Sequence, residues 1–411
     1  MFLALLKRRN PALLEAAAVL HQGGIIPPNC YVIDLDQVAE NATALKAEAD
    51  RLGLAVFAMT KQIGRNPDVS RTLVHHGITH AVGVDLDCAL AAVHGGLGLG
   101  HVGHLVQVPR NQASLAASLD PLYWTVFSHE KAIEAGAASR DAGRSQPLLA
   151  RIVAEGDRFY PGHEGGFDAA DIIRVADALD AVDGGQFAGV TTFPASLFDP
   201  VAGRVLPTHN MTTLTRAAEA LRSAGRSGIT VNAPGTTSSA TLAGLADAGA
   251  TQVEPGHGLT GTTPWHAVED LVEGPAIVYV SEVSHHWGGS AFVFGGGLYV
   301  DPVLEGAPTD AVIVRTQERA SAAATYRVDM PAAAAIDYYA KVPVPATDAA
   351  PAGSTVLFGF RPQVFVTRAL TAAVSGISRG EPRLEGLWAS DGSAPLTAEH
   401  MTRDPMRGHR P

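Results

Sequence analysis

Short apolar runs alternate with helix-like segments through most of the chain before residue 272, and this alternation most limits the possible folds. Eight strand-like runs follow one another over about 220 residues, a number and spacing typical of a (β/α)8 TIM barrel. They are LAVFAMT (54–60), THAVGV (79–84), HVGHLVQV (101–108), LYWTVF (122–127), PLLARIV (147–153), QFAGVTT (186–192), GITVNA (228–233) and ATQVE (250–254). A helix predicted over 37–52 precedes the first run. A doubly wound open sheet is the alternative α/β fold, but eight regular units favour a closed barrel.

The sequence after residue 272 changes in character. It has strand-like runs separated by Gly/Pro turns, which predict an all-β C-terminal domain. These runs are AIVYVSEVS, SAFVFGGGLYV, DAVIVRT, STVLFGF and QVFVTRAL. We therefore expect a barrel over 37–272 and a β domain built from 273–390 together with 1–36, whose first part is helical. A weakly ordered tail is expected over 391–411.

Composition excludes several classes of protein. The net charge of −11 argues against a nucleic-acid binder, which needs a basic face. Two cysteines, Cys30 and Cys88, cannot staple a secreted scaffold and fit a reduced cytoplasm. The opening MFLALLKRRNP places its apolar residues before the basic ones, the reverse of a signal peptide, and no run of about 18 apolar residues indicates a membrane span. We expect a cytoplasmic protein with neither a nucleic-acid nor a membrane partner.

Lys61 stands directly after the first strand-like run. Residues at the C-terminal ends of barrel strands face the active site, and an amine held in apolar surroundings there is suited to form a Schiff base. A solvent-facing lysine is the simpler alternative. The loops after the seventh and eighth runs, NAPGTTSSATL (232–242) and VEPGHGLTG (253–261), supply hydroxyls and glycines suited to phosphate. Ser238, in the first loop, is equally a helix N-cap.

These stretches resemble fold-type III pyridoxal-phosphate (PLP) enzymes, which have an alanine-racemase-like barrel followed by a β domain, and most resemble the YhfX family. The resemblance covers roughly residues 1–390. It is carried by VIDLDQVAEN, FAMTKQIGRNP, GHLVQVPR, NAPGTTSSATL, EPGHGLTGTTP and EVSHHWGGSAFVFGGG. It implies PLP as the cofactor, joined to Lys61, with its phosphate bound by Ser238 and by the backbone N–H groups of Gly256 and His257. Thr237 is a further cofactor-binding candidate.

Two positions depart from the alanine racemase pattern. Glu254 stands where those enzymes carry an arginine, and a carboxylate there favours a protonated pyridine nitrogen and a stronger electron sink. A local pairing role for Glu254 is the alternative. Phe294 falls where racemases present a catalytic tyrosine from the partner subunit, and a phenyl ring carries no proton. The nearby His285 and His286 could supply an acid–base group, or they could be ordinary surface residues.

The remaining candidates are less specific. By the same comparison Arg158 falls where racemases stack a histidine on the cofactor ring; it could instead receive a substrate carboxylate or form a surface salt bridge. His104 faces either the barrel or the core. Arg361 and Gln363 fall where D-serine dehydratases and D-threonine aldolases carry metal ligands, and since neither is a histidine or cysteine we expect no metal there.

The resemblance implies a PLP-dependent enzyme that acts at Cα of an amino acid or amine, racemase-like, in a homodimer. Glu254 and Phe294 instead favour a lyase or decarboxylase, for which a strong sink helps and a second base is dispensable. A non-catalytic PLP-binding or homeostasis protein is the third reading. The long segment after the barrel favours an enclosed substrate site, and hence an enzyme.

Overall fold

The computed structural model describes residues 1–300 and 308–396. The predicted tail lies outside the described residues from 397 onward. The α-helices are α1 Phe2–Arg9, α2 Pro11–Gln22, α3 Leu35–Leu52, α4 Pro67–His75, α5 Leu86–His94, α6 Ala113–Ser118, α7 His129–Asp141, α8 Ile172–Asp180, α9 His209–Ser223 and α10 Ser239–Asp247. Within these residues, no helix combines the length and apolar character needed to cross a bilayer.

The strands follow in chain order. They are β1 Cys30–Asp34, β2 Ala55–Ala58, β3 His80–Gly83, β4 Gly98–Val102, β5 Tyr123–Val126, β6 Gln146–Val153, β7 Phe167–Asp168, β8 Gly185–Thr191, β9 Ser196–Asp199, β10 Arg204–Pro207, β11 Thr230–Asn232, β12 Gln252–Val253, β13 Ile277–Trp287, β14 Ser290–Phe294, β15 Asp310–Val314, β16 Thr325–Arg327, β17 Tyr339–Pro343, β18 Thr355–Gly359, β19 Leu370–Ser375 and β20 Arg383–Ala389.

Eight parallel strands close into the predicted barrel, with helices between most of them. Hydrogen bonds join them in the order β5-β4-β3-β2-β12-β11-β8-β6, and β6 also pairs with β5 to complete the ring. The helix before the first barrel strand has clear sequence signals at both ends. The carboxylate of Asp34 accepts from the backbone N–H groups of Asp36 and Gln37, and Gly53 ends the helix with a φ of 69°.

The third barrel strand is the one whose predicted position was wrong. The apolar run HVGHLVQV suggested 101–108, whereas β4 spans Gly98–Val102. Glycines made its first half look unlike a strand. A Cβ at Gly98 would meet the ring of His80 at 2.8 Å, and one at Gly100 would meet the ring of Phe57 at 2.5 Å. Side chains of neighbouring strands therefore occupy the space that β4 leaves, and His104 follows the strand instead of lying in it.

The C-terminal strands build a second, mixed sheet that also recruits the N-terminal strand. Its order is β16-β15-β18-β13-β1-β19-β20, and β14 and β17 extend from β13 as a ribbon. β1 pairs antiparallel with β13 and parallel with β19. The run QVFVTRAL, predicted as one strand, instead forms a short helical turn at Val364–Val366 before β19 begins. That turn contacts the turn after β2, so tertiary packing overrides the local strand propensity.

The side chains of β1 point alternately to two apolar clusters, because this sheet lies between the N-terminal helices and the barrel. Cys30 and Val32 belong to the apolar cluster that contains Leu3, Leu6 and other side chains of α1 and α2. Tyr31 and Ile33, on the opposite face, belong to the large core that includes the barrel. Both faces are buried, which explains the continuous apolar run in the sequence.

The glycine at position 100 provides a test of barrel packing. We expect Gly100→Ala to lower the free energy of unfolding by about 1–3 kcal/mol, because the new methyl group overpacks the buried ring of Phe57. Gly244→Ala is the matched control: it lies within α10, and its Cβ would meet nothing within 4 Å. That control should raise the free energy of unfolding by roughly 0.5–1 kcal/mol. Urea denaturation followed by circular dichroism measures both, and equal effects of the two variants would contradict the packing argument.

Candidate active site

A cavity of about 760 Å³ opens at the C-terminal ends of the barrel strands. The loops after several barrel strands form part of its wall. The β domain contributes the rest through Tyr299, Arg361, Gln363, Phe365 and Val366. The β domain therefore narrows the barrel mouth, and a ligand bound there would be in contact with both parts of the chain.

Lys61 begins a short helical turn just after β2 and is half-buried in the wall of this cavity. Its Nζ lies 3.5 Å from Oε1 of Gln363 and 4.9 Å from the centre of the Phe365 ring. The ring face attracts the ammonium group and the amide oxygen accepts from it. The lysine therefore reaches across to the β domain and does not extend into solvent.

Glu254 follows β12 and is 1 % exposed, at the base of the cavity. Its Oε1 accepts from Nδ2 of Asn232 at 3.0 Å and lies 2.8 Å from Nδ1 of His101. The other ring nitrogen of His101 bonds to the hydroxyl of Thr125. Oε2 makes no hydrogen bond with a described residue, although Nε2 of His104 lies 3.3 Å away. One carboxylate oxygen is thus held by two partners, while the other lacks a donor.

Electrostatics keep this carboxylate ionised. Burial acts to raise the pKa of Glu254, but the hydrogen bonds from His101 and Asn232 help to outweigh it, and the pKa lies below its usual value. Burial lowers the pKa of His104 to about 3, so its imidazole is neutral at pH 7. The result is a carboxylate beside a neutral imidazole, a pair suited to receive one cationic N–H donor.

His101, His104 and Glu254 also have ligand atoms within 4.8 Å of one another, a spacing that could hold a metal ion. His101, however, uses one ring nitrogen toward Glu254 and the other toward Thr125. Since a histidine ligand needs one ring nitrogen free for the metal, we interpret the cluster as a hydrogen-bonded network around the carboxylate.

The two loops predicted to hold phosphate meet in this cavity. Thr237, Gly256 and His257 line it. A Cβ at Gly258 would lie 2.4 Å from the carbonyl oxygen of Thr237, so only glycine allows the loops to approach this closely. Ser238 is the N-cap of α10, and its backbone N–H donates to the hydroxyl of Thr241. Its predicted role in binding phosphate stays a prediction.

The structure does not bring Arg158 into this cavity. Its side chain lines a smaller neighbouring cavity of about 390 Å³, which the hairpin of β9 and β10 separates from the first through Leu197. Its backbone is tied to the side chain of Asn210 by two hydrogen bonds. The loop path after β6 therefore turns Arg158 away from Lys61 and toward Asp199 on the hairpin.

His285 and His286 likewise lie outside the cavity of their own chain. Both are exposed at the end of β13. His285 stacks on Phe292 with ring centres 4.7 Å apart, and Nε2 of His286 lies 2.6 Å from the carbonyl oxygen of Ala350. Phe294 lies on β14 and contacts Tyr339 on the adjacent strand, with ring centres 5.8 Å apart. Their predicted acid–base role could be exercised only from a second subunit.

Sequence reasoning missed several residues that line the cavity. Tyr160 and His163 come from the loop after β6, and Tyr299 and Phe365 come from the β domain. The signal for His163 was present, because GDRFYPGHEGGF directly follows a predicted barrel strand. Nothing in the sequence indicated which of its polar side chains would turn inward.

Comparisons with known proteins agree with this architecture. Residues 33–264 match the family described as "Alanine racemase, N-terminal domain", and residues 278–384 match "YhfX-like, C-terminal domain". The chain is 38% identical over 398 residues to "Uncharacterized protein YhfX" of Escherichia coli (strain K12), covering 96% of this chain and 99% of that protein.

Solved structures with the same fold include D-threonine aldolase from Filomicrobium marinum, with a TM-score of 0.66 and 16% identity over 89% of this chain and 95% of that one. D-threo-3-hydroxyaspartate dehydratase from Delftia sp. HT23 gives 0.61 and 18%, covering 87% and 97%. Alanine racemase of Clostridium difficile 630 in complex with cycloserine gives 0.60 and 13%, covering 88% and 98%. At these identities the likeness concerns the fold alone.

The barrel, the β domain and these matches define the class, the fold-type III PLP family, which includes racemases, aldolases and dehydratases. Within that class the chain belongs to the alanine racemase N-terminal domain family and carries the YhfX-like C-terminal domain. The family predicted from the sequence is confirmed.

The neutral state of His104 predicts how stability depends on pH. A histidine with a depressed pKa binds its proton more readily in the unfolded chain, so its contribution to stability is lost as pH falls below about 6.5. Between pH 6.5 and pH 5 this amounts to about 2 kcal/mol. We expect His104→Gln to reduce the pH dependence of the free energy of unfolding, as measured by urea denaturation at both pH values. His75→Gln, at an exposed helix position, should retain the wild-type slope; an unchanged slope in His104→Gln would contradict the assignment.

Proposed function

We propose that this protein is a PLP-dependent enzyme that acts at Cα of an amino acid by racemase-like transfer of a proton. One observation carries the proposal. Lys61, Glu254 and the loops containing Thr237 and Gly256 line a single cavity at the mouth of the barrel. These are the residue types that an aldehyde, a pyridine nitrogen and a phosphate group require, and the family generally binds PLP.

The residues present fit the cofactor. Oε2 of Glu254 is buried, ionised and without a donor, so a protonated pyridine nitrogen would supply the missing hydrogen bond. The glycine at position 258 keeps the two phosphate loops in contact. Lys61 would hold the aldehyde carbon, and the loops after β11 and β12 would hold the phosphate.

When bound, PLP withdraws electrons from Cα of the attached amino acid and so weakens the bond to its hydrogen. The carboxylate of Glu254 would favour a protonated pyridine nitrogen and so strengthen that effect. The amine of Lys61 would accept the Cα proton of a bound substrate and return it. Phe365 and Tyr299, from the β domain, line the cavity and would restrict the access of water to this exchange.

A lyase or decarboxylase is the second candidate. Glu254 supports it, because a strong electron sink assists cleavage of a bond to Cα other than the bond to hydrogen. Phe294 supports it as well, since that ring cannot serve as a second base. We place racemase-like proton transfer first, because the cavity is lined by ionisable side chains other than Lys61 that could serve as the second base.

A PLP-binding protein without turnover is the third candidate. The β domain adds a wall over the barrel mouth, and this wall argues against a carrier, since a carrier has no need of an enclosed space beside the cofactor. An enzyme should show a change in cofactor absorbance when D- or L-amino acids are added. No change with any amine would favour the carrier.

We further propose a cytoplasmic homodimer. The ribbon of β13, β14 and β17 presents aromatic side chains to solvent, among them Trp287 at 75% and Tyr339 at 39% exposure. Exposed aromatic surface of this kind is enriched at protein interfaces. A second subunit that covers this ribbon would bury it, together with His285. Sedimentation of the purified protein measures the oligomeric state.

Lys61→Ala should abolish the covalent attachment of PLP, because no other amine takes the place of this one at the end of β2. Absorbance of the purified, PLP-supplied protein and mass spectrometry after borohydride reduction measure the attachment. Lys46→Ala, on the outer face of α3, is the control and should keep both signals. A cofactor adduct that persists in Lys61→Ala would overturn the assignment of this lysine.

Glu254→Gln should keep PLP attached to Lys61 but slow reaction at Cα by about 10- to 100-fold, because the amide no longer stabilises the pyridine proton. A panel of D- and L-amino acids, scored by chiral chromatography with ammonia and CO₂ measured in parallel, separates racemisation from elimination and decarboxylation. Glu219→Gln, at an exposed position of α9, should react at the wild-type rate. A Glu254→Gln variant as fast as wild type would contradict the role given to the carboxylate.

A further inference from the structure

The order of the barrel strands places two loops that carry ionisable side chains on opposite sides of the cavity. In the ring of eight strands, β2 and β6 are four places apart and therefore lie across the barrel from each other. Lys61 follows β2, and His163 lies in the loop that follows β6. Both side chains line the same cavity. A flat ligand held between them would meet the amine on one face and the imidazole on the other.

A buried arginine holds the loop of His163 in place. Arg151, on β6, is 0% exposed, and its Nη2 donates to the carbonyl oxygen of His163 at 2.9 Å. The same nitrogen reaches the carbonyl oxygen of Phe193 at 3.4 Å, and the guanidinium lies 4.9 Å from the centre of the Phe127 ring. Burial of a guanidinium is costly, and here its hydrogen bonds go to backbone atoms of two residues that line the cavity. Arg151 therefore fixes the position of that wall.

Local contacts orient the imidazole further. The backbone N–H of His163 donates to the carbonyl oxygen of Tyr160 at 2.9 Å, which makes a tight turn. The imidazole lies 5.8 Å from the ring of Tyr160 and 6.0 Å from that of Phe193, measured between ring centres. Aromatic contacts on two sides restrict its rotation. The imidazole is thus held at the cavity and is not a mobile surface group.

The surroundings favour the neutral form of His163. Burial lowers its pKa, the positive charges of Arg151 and Lys61 lower it further, and Glu164 opposes them. Its Nδ1 is buried and has no hydrogen-bond partner among the described residues. A neutral imidazole can accept a proton at pH 7 and return it, whereas an imidazolium could not accept one.

We propose that His163 is the second proton-transfer group, acting at Cα on the face of the substrate opposite Lys61. This inference rests on the proposed function and deepens it. In one direction the Cα–H bond breaks, its electron pair stays with the substrate, and the proton passes to the imidazole. A proton from the ammonium group of Lys61 then forms the new C–H bond on the other face. The reverse sequence converts the other enantiomer, and solvent restores both groups.

The role of His163 can be tested by hydrogen exchange in D2O. Wild type and His163→Asn, both loaded with PLP, are incubated with D- and L-amino acids of the panel, and NMR records the loss of the Cα hydrogen from each enantiomer. We expect the variant to lose exchange by about 100-fold or more with one enantiomer only, because Lys61 still serves the other face. Racemisation should fall by the same factor. His75→Asn is the control and should behave as wild type.

Other outcomes separate this inference from the proposed function. If His163→Asn exchanges the Cα hydrogen of both enantiomers as fast as wild type does, the role of His163 alone is overturned. An equal loss of exchange from both enantiomers overturns it as well. Wild-type exchange of only one enantiomer overturns the two-face arrangement but leaves proton transfer by Lys61 intact. No exchange with any amino acid, despite attached PLP, overturns the proposed function itself.

A second variant guards against misfolding. His163→Ala leaves space for added imidazole, which should restore exchange with the affected enantiomer and leave the other unchanged. Absorbance of the bound cofactor and circular dichroism show whether the variant is folded and loaded. A folded, loaded variant that imidazole does not rescue would contradict proton transfer by the imidazole group.

Discussion

Closure of the eight-stranded barrel is the constraint on which the rest of this structure depends. The pairing of β5 with β6 completes the ring and removes the exposed edges of an open sheet. It also gathers the C-terminal ends of strands that are far apart in sequence. Lys61, from the first strand, and Glu254, from the last, are 193 positions apart yet line one cavity only because β2 pairs with β12. An open sheet would leave the ends of the first and fifth strands on a line, with no common space between them.

The cavity sorts charge in a way that suits a cofactor with a cationic ring and an anionic phosphate. At its base, Glu254 stays ionised although it is buried, because Asn232 and His101 donate to it. Its walls carry the amine of Lys61 and imidazoles kept neutral by burial. An ionised carboxylate and neutral imidazoles thus share one space without neutralising each other. A protein keeps an acid and a base ready at the same pH in this way.

Sequence reasoning located most barrel strands to within a few residues, because each is an apolar run bounded by glycine or by a helix signal. It failed at β4, where Gly98 and Gly100 supply no apolar side chain and the more hydrophobic segment after the strand looked more like it. It failed again at Val364–Val366, where residue types that favour strands form a turn because they pack against the loop of Lys61. In both places a contact with a distant part of the chain decided the backbone conformation.

What the sequence determined by itself is the class of fold, the family, and the candidates at strand ends such as Lys61 and Glu254. Periodicity and local motifs suffice for these, since they depend on neighbours along the chain. Only the tertiary structure decided which side chain of the loop after β6 faces the cavity, where His163 lines the wall and Arg158 turns away. The direction of a loop side chain depends on where the chain must return to pack. Here the buried Arg151 fixes the loop through its hydrogen bond to the carbonyl oxygen of His163. That information is spread over contacts between distant residues, so no local pattern contains it.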